Sequence, residues 1–88
     1  MPYIANNKRR DELDDGLEAP LNIGELNFKI TKLVDCYLYH HGLSYSNINA
    51  VVGVLECAKL ELYRRIATPY EEKKIAENGD VYSPENRR

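Results

Sequence analysis

The chain has 88 residues, with 12 Lys or Arg against 14 Asp or Glu, a formal charge of −2, one Phe, one Met and no Trp. At this length one domain buries only about 60 to 65% of its unfolded surface, and a core that thin, without disulfide or metal pattern, is expected to be completed by homo-oligomerisation. The interspersed charges argue against a general DNA-binding surface, which needs a basic patch or stripe. No segment has the apolar length of a signal peptide or of a membrane span, so a cytoplasmic protein is expected.

Residues 1–21 mix charge, Asn, Gly and two prolines and read as an arm, with a helical turn or two around Lys8 to Asp15. Leu13 and Leu17, four apart, are placed to dock such a helix, although Gly16 weakens it. The acids Asp11, Glu12, Asp14, Asp15 and Glu18 read as a solvated face.

A firm helix opens at Asn22, a capping residue with Glu25 at the third helical position. Apolar residues recur at Leu26, Ile30, Leu33, Val34, Tyr37 and Leu38, one face of a helix that should stop near His41 with Gly42 in a left-handed C-terminal position. A second helix starts at Ser44 or Ser46 and places Ile48, Val51, Val52, Leu55, Leu62 and Ile66 on its inner side. Gly53 costs about 1 kcal/mol in a helix interior and, with Ala50, Cys57 and Ala58, marks a close helix crossing. The short loop from Gly42 to Tyr45 predicts antiparallel neighbours.

Pro69 allows two readings: a kink in one continuous helix, or a fresh helix capped by Thr68 with Pro69 first and Glu71 third. The fresh start is favoured because three start signals coincide. That helix runs to about Glu77 and ends at Asn78 and Gly79, and Ser83 to Arg88 forms an extended tail. The fold class is therefore all-α: an antiparallel helical hairpin with a Pro-broken second helix and a short C-terminal helix. Its parts are an arm (1–21), a helical core domain (22–78) and an extended tail (79–88).

Catalytic chemistry finds little footing. His40 and His41 are adjacent and point about 100° apart on a helix, so they do not share a metal as residues four apart do. Cys36 and Cys57 have no partner at a metal-ligand spacing and read as small buried apolar residues. Ser44 and Ser46 are better explained as caps than as nucleophiles. A non-catalytic protein without a cofactor or metal is expected.

The segment from Tyr63 to Tyr82 is denser in polar groups than a small core requires. Arg64, Arg65, Lys73 and Lys74 offer phosphate contacts, Tyr63, Tyr70 and Tyr82 offer stacking surfaces, and a helix start after Thr68 offers free backbone donors. A solvated helix explains much of the same pattern, since Glu61 can pair with Arg64 or Arg65, and Glu71, Glu72 and Glu77 lie near the lysines. Asn49, Glu56 and Tyr63 recur at heptad spacing as a polar stripe, with Glu56 either paired with Lys59 or placed at an interface. Asp80, beside Asn78 and Gly79, is either turn chemistry or a partner contact.

The residues GELNFKITKL from Gly24, LSYSNIN from Leu43, VGVLECAKLELYRR from Val52 and PYEEKKIAENGDVY from Pro69 resemble an uncharacterised family of short bacteriophage and prophage proteins. The opening MPYI is similar to the family start, whereas residues 8–20 depart from the pattern, being shorter and more acidic than a full helix would require. The resemblance implies no activity and no assigned residues. It does imply a phage setting, in which small proteins often inhibit a host protein or sequester a defence signal.

The expected function is thus a non-enzymatic, oligomeric binding protein of the host-cell cytoplasm that sequesters an anionic, nucleotide-like signal in counter-defence. The alternative is an inhibitor or scaffold docking on a host or phage protein. A third class, an accessory factor in DNA transactions, would need basic residues from several subunits to merge into one stripe.

Overall fold

The computed structural model describes residues 2–87, and within them the chain is all-helical, with no strand. In order come α1 (Asn7–Asp14), α2 (Ile23–His41), α3 (Tyr45–Leu62), a π-helical turn (Tyr63–Ala67), α4 (Thr68–Asn78) and a 3-10 turn (Pro84–Asn86). The chain divides into two units, Met1–Leu55 and Glu56–Arg88, the division falling inside α3. No helix among the described residues is long and apolar enough to cross a membrane.

In the first unit the helix ends are written into short polar side chains. Asn6 caps α1 by accepting the Arg9 N–H at 3.1 Å, and Gly16 leaves the helix at φ +73°. The Asn22 side-chain oxygen accepts the Glu25 N–H at 2.9 Å, while the Glu25 carboxylate accepts the Leu21 N–H at 3.1 Å. Two otherwise orphaned donors at the start of α2 are satisfied this way. Lys29 donates to the Glu18 carbonyl at 2.6 Å, which ties the arm to α2. Gly42 closes α2 at φ +99° and donates to the Leu38 carbonyl, and Ser44 caps α3 by accepting the Asn47 N–H at 3.1 Å.

The α2–α3 loop is fastened by one side chain. The Asn47 amide donates to the carbonyls of His41 at 3.1 Å and Gly42 at 2.8 Å. Beyond that fastening the expectation of antiparallel packed neighbours is not met. Within this unit α2 and α3 meet at the loop and do not approach along their lengths. Loop brevity fixes where two helices join, but only side-chain interlocking draws them together, and here most apolar residues of both stay open to solvent while Val34, Leu38 and Val51 are half-buried.

In the second unit the expected fresh start at Thr68 does not occur. Leu62, Ala67 and Thr68 all keep right-handed helical dihedrals, and no side chain caps α4. The reason lies in the proline. Pro69 has no N–H to return to the preceding turn, and its ring crowds the carbonyl four residues back, at Arg65. The chain relieves this by widening rather than breaking: Thr68 N–H reaches back to the Tyr63 carbonyl in a π turn. α4 then ends at Asn78 as expected, with Gly79 at φ +90°.

The tail turns instead of running extended. Asp80 accepts the Tyr82 N–H at 2.9 Å, the Arg87 guanidinium donates to the Tyr82 carbonyl at 2.9 Å, and Arg87 lies 3.5 Å from the Asp80 carboxylate.

No described residue of either unit is buried in the single chain. Cys36 and Cys57, expected inside, are both exposed. A free thiol is apolar enough to be buried, but only where neighbouring elements close over it. Leu13 and Leu17, the expected docking pair of the arm, are likewise open.

Candidate ligand-binding surface

The π turn decides how the cationic residues of the second unit are arrayed. On a regular helix the eight residues from Arg65 to Lys73 would set them about 80° apart around the axis. The steps leaving Arg65 lie in the wider π turn, whose bonds close five residues back, and rotate less, so Lys73 stands closer to Arg65 around the axis than a regular helix would set it. Both are exposed, and neither makes an ion pair among the described residues. Tyr70, also exposed, stands three residues before Lys73 on the same helix.

Arg64 and Lys74 are committed elsewhere. The Arg64 guanidinium meets the Glu61 carboxylate at 2.6 Å, and the Glu61 side chain is only 20% exposed. Lys74 meets Glu77 at 3.3 Å and lies 5.5 Å from the centre of the Tyr70 ring. The four cations are therefore not one cluster: two are engaged in local pairs and two make no ion pair among the described residues. Tyr63 and Tyr70, about 20° apart on a regular helix, are moved further apart by the π turn between them. Tyr82 sits after α4 with its backbone held by Asp80 and Arg87 and its ring exposed.

The polar stripe resolves into local chemistry. Glu56 is exposed and pairs with Lys59 at 3.3 Å, one turn away. Asp80 closes its own turn and takes Arg87. Asn49, in the first unit, is exposed on α3. The structurally consequential asparagine is Asn47, which sequence reasoning passes over although its place three residues after a capping serine is where a side chain can reach back to the preceding helix. His40 and His41 both lie against tyrosines, His41 stacked on Tyr37 with ring centres 4.2 Å apart and His40 edge-on to Tyr39 at 5.5 Å. Among the described residues no three His, Cys, Asp or Glu side chains gather in a metal-holding arrangement. An open depression is lined by Lys8, Asp11, Glu12, Asp14 and Asp15 of the arm, away from all these residues in sequence.

What the second unit presents, then, is a helix with a guanidinium and an ammonium that make no ion pair among the described residues, and a phenol ring on the same helix. Such a helix can accept an anion, with Arg65 able to grip two oxygens at once and Lys73 acting as a point charge. Over residues 1–81 the sequence matches the family model of a domain of unknown function, DUF6899. The chain belongs to that family. Neither the curated proteins nor the solved structures yield a match. DUF6899 membership agrees with the resemblance to an uncharacterised family and brings no activity with it.

Proposed function

We propose that this DUF6899 protein is a non-catalytic, self-associating helical binding protein of phage type that sequesters an anionic, nucleotide-like signal in the host cytoplasm. The observation that supports the reading is that Arg65 and Lys73, on either side of Pro69, are exposed and make no ion pair among the described residues. Side chains that lack an internal partner retain their capacity for an external one, and a phosphate satisfies both. Tyr70 adds a stacking surface for a base or ribose-linked ring. Self-association is supported by the absence of any buried residue among those described. The helix packing expected of α2 on α3 is then supplied between copies. Calorimetry against a panel of cyclic and linear nucleotides tests the function: saturable binding that weakens with salt and is lost in Arg65→Ala and Lys73→Ala is expected, and silence across the panel removes the reading.

A second reading, an inhibitor or scaffold acting on a host or phage protein, is favoured by the breadth of exposed apolar side chains on α2 and α3. A stoichiometric protein partner recovered from infected cells, without bound nucleotide, would select it over the first.

A further inference from the structure

α2 carries a pattern that its role in a single chain does not use. Ile23, Leu26, Ile30, Leu33 and Tyr37 follow one another at alternating steps of three and four residues, the spacing of a coiled-coil seam with Ile23, Ile30 and Tyr37 at a and Leu26 and Leu33 at d. All five stay open, between 39% and 86% exposed. The residues of α2 that the unit does partly cover are Lys29, Val34 and Leu38, and none belongs to the seam. These three border the seam, Lys29 on one side and Val34 and Leu38 on the other, and the a and d residues between them stay exposed.

We infer that this seam is where two copies of the chain meet, α2 packing against α2 of a second copy as a parallel, in-register, two-stranded pair. Ile at a with Leu at d is the combination that favours two strands in parallel. The flanks agree. In such a pair Lys29 at g faces the e position five residues on, which is Val34 of the second copy, so no like charges are brought together. Burying a side chain of this size removes roughly 60 to 120 Å², so the five seam residues contribute about 300–600 Å² per partner, a small interface beside the roughly 800 Å² of a standard one. A partner offering the matching period of three and four is needed, and a second copy supplies it by symmetry.

This inference rests on the self-association proposed above, and its test separates the two. In a background with Cys36→Ser and Cys57→Ser, a cysteine is introduced as Leu33→Cys, where in-register d positions lie face to face, or as Lys32→Cys, one residue off the seam. Under mild oxidation the first is expected to link chains in pairs and the second is not. Light scattering should give the wild type a mass that is an even multiple of the 10.1 kDa chain. Leu33→Glu and Leu33→Lys should each lose that mass alone and regain it on mixing, a rescue that mere unfolding does not produce. An assembled protein that does not link at position 33 overturns the seam while self-association stands. A wild type that stays at the mass of one chain overturns both.

Discussion

Replacing Asn47 by alanine tests whether one side chain holds the α2–α3 junction. Its amide makes two donor contacts, 3.1 Å to the His41 carbonyl and 2.8 Å to that of Gly42, and a neutral hydrogen bond contributes a net of about 0.5–1.5 kcal/mol. Asn47 is only half-buried, so water recovers part of the loss, and the expected cost is about 1–2 kcal/mol rather than the upper sum. In a domain of this size that lowers the melting temperature by roughly 5–10 °C. Asn47→Asp should be worse by roughly 1 kcal/mol, because a carboxylate would face two carbonyl oxygens, an effect only partly offset by its place in the first turn of α3. The assay is a thermal melt followed by circular dichroism at one fixed chain concentration, since self-association makes melting concentration-dependent. Asn49→Ala, at an exposed position on the same helix, should stay within about 0.5 kcal/mol of wild type. Equal melting temperatures for Asn47→Ala and Asn49→Ala would show that the Asn47 amide does not hold the junction.

Pro69→Ala restores a backbone donor and removes the ring, so the π turn should relax to α-helix. Stability should rise by about 1 kcal/mol or more, while Lys73 swings back to about 80° from Arg65 and anion binding falls; backbone chemical shifts and calorimetry report the two halves, and a variant that binds as well as wild type contradicts the register argument. Gly79 sits at φ +90° with open space where a Cβ would stand, so Gly79→Ala should cost about 1 kcal/mol through backbone strain alone, measurable in a urea melt. Arg64→Ala should weaken anion binding less than Arg65→Ala, because Arg64 already meets Glu61 at 2.6 Å; the reverse order in a titration would move the site to the other face.

The helix ends are the most legible part of this sequence. Asn22 with Glu25, Gly42, Ser44 and Gly79 act within three or four residues of themselves, so their chemistry is local and reads directly from spacing. Asn6 is less legible because the charged arm that follows it masks a capping asparagine. The proline is harder. Its missing donor and its ring clash are both local facts, but whether a helix breaks or widens depends on how the preceding turn yields, and Thr68 looks like a cap only if the chain leaves the helix there. The candidate site follows from that same turn. Four cations and three tyrosines are visible in the sequence, but how close Arg65 and Lys73 stand around the axis is set by the rotation lost in the π turn. Burial is the least legible, because an amphipathic pattern states that a face wants covering and not what covers it. Cys36, Cys57 and most apolar residues of α2, Val34 and Leu38 excepted, lie open in the single chain for that reason.

Titration calorimetry of the wild type, Arg65→Ala and Lys73→Ala against nucleoside mono-, di- and cyclic phosphates is the decisive measurement for anion binding by the second unit. Saturable binding to at least one phosphate-bearing nucleotide is expected, weakened by added salt and abolished by either substitution, with the nucleosides lacking phosphate silent. Binding that is unchanged in both variants, or absent from the whole panel, would contradict it.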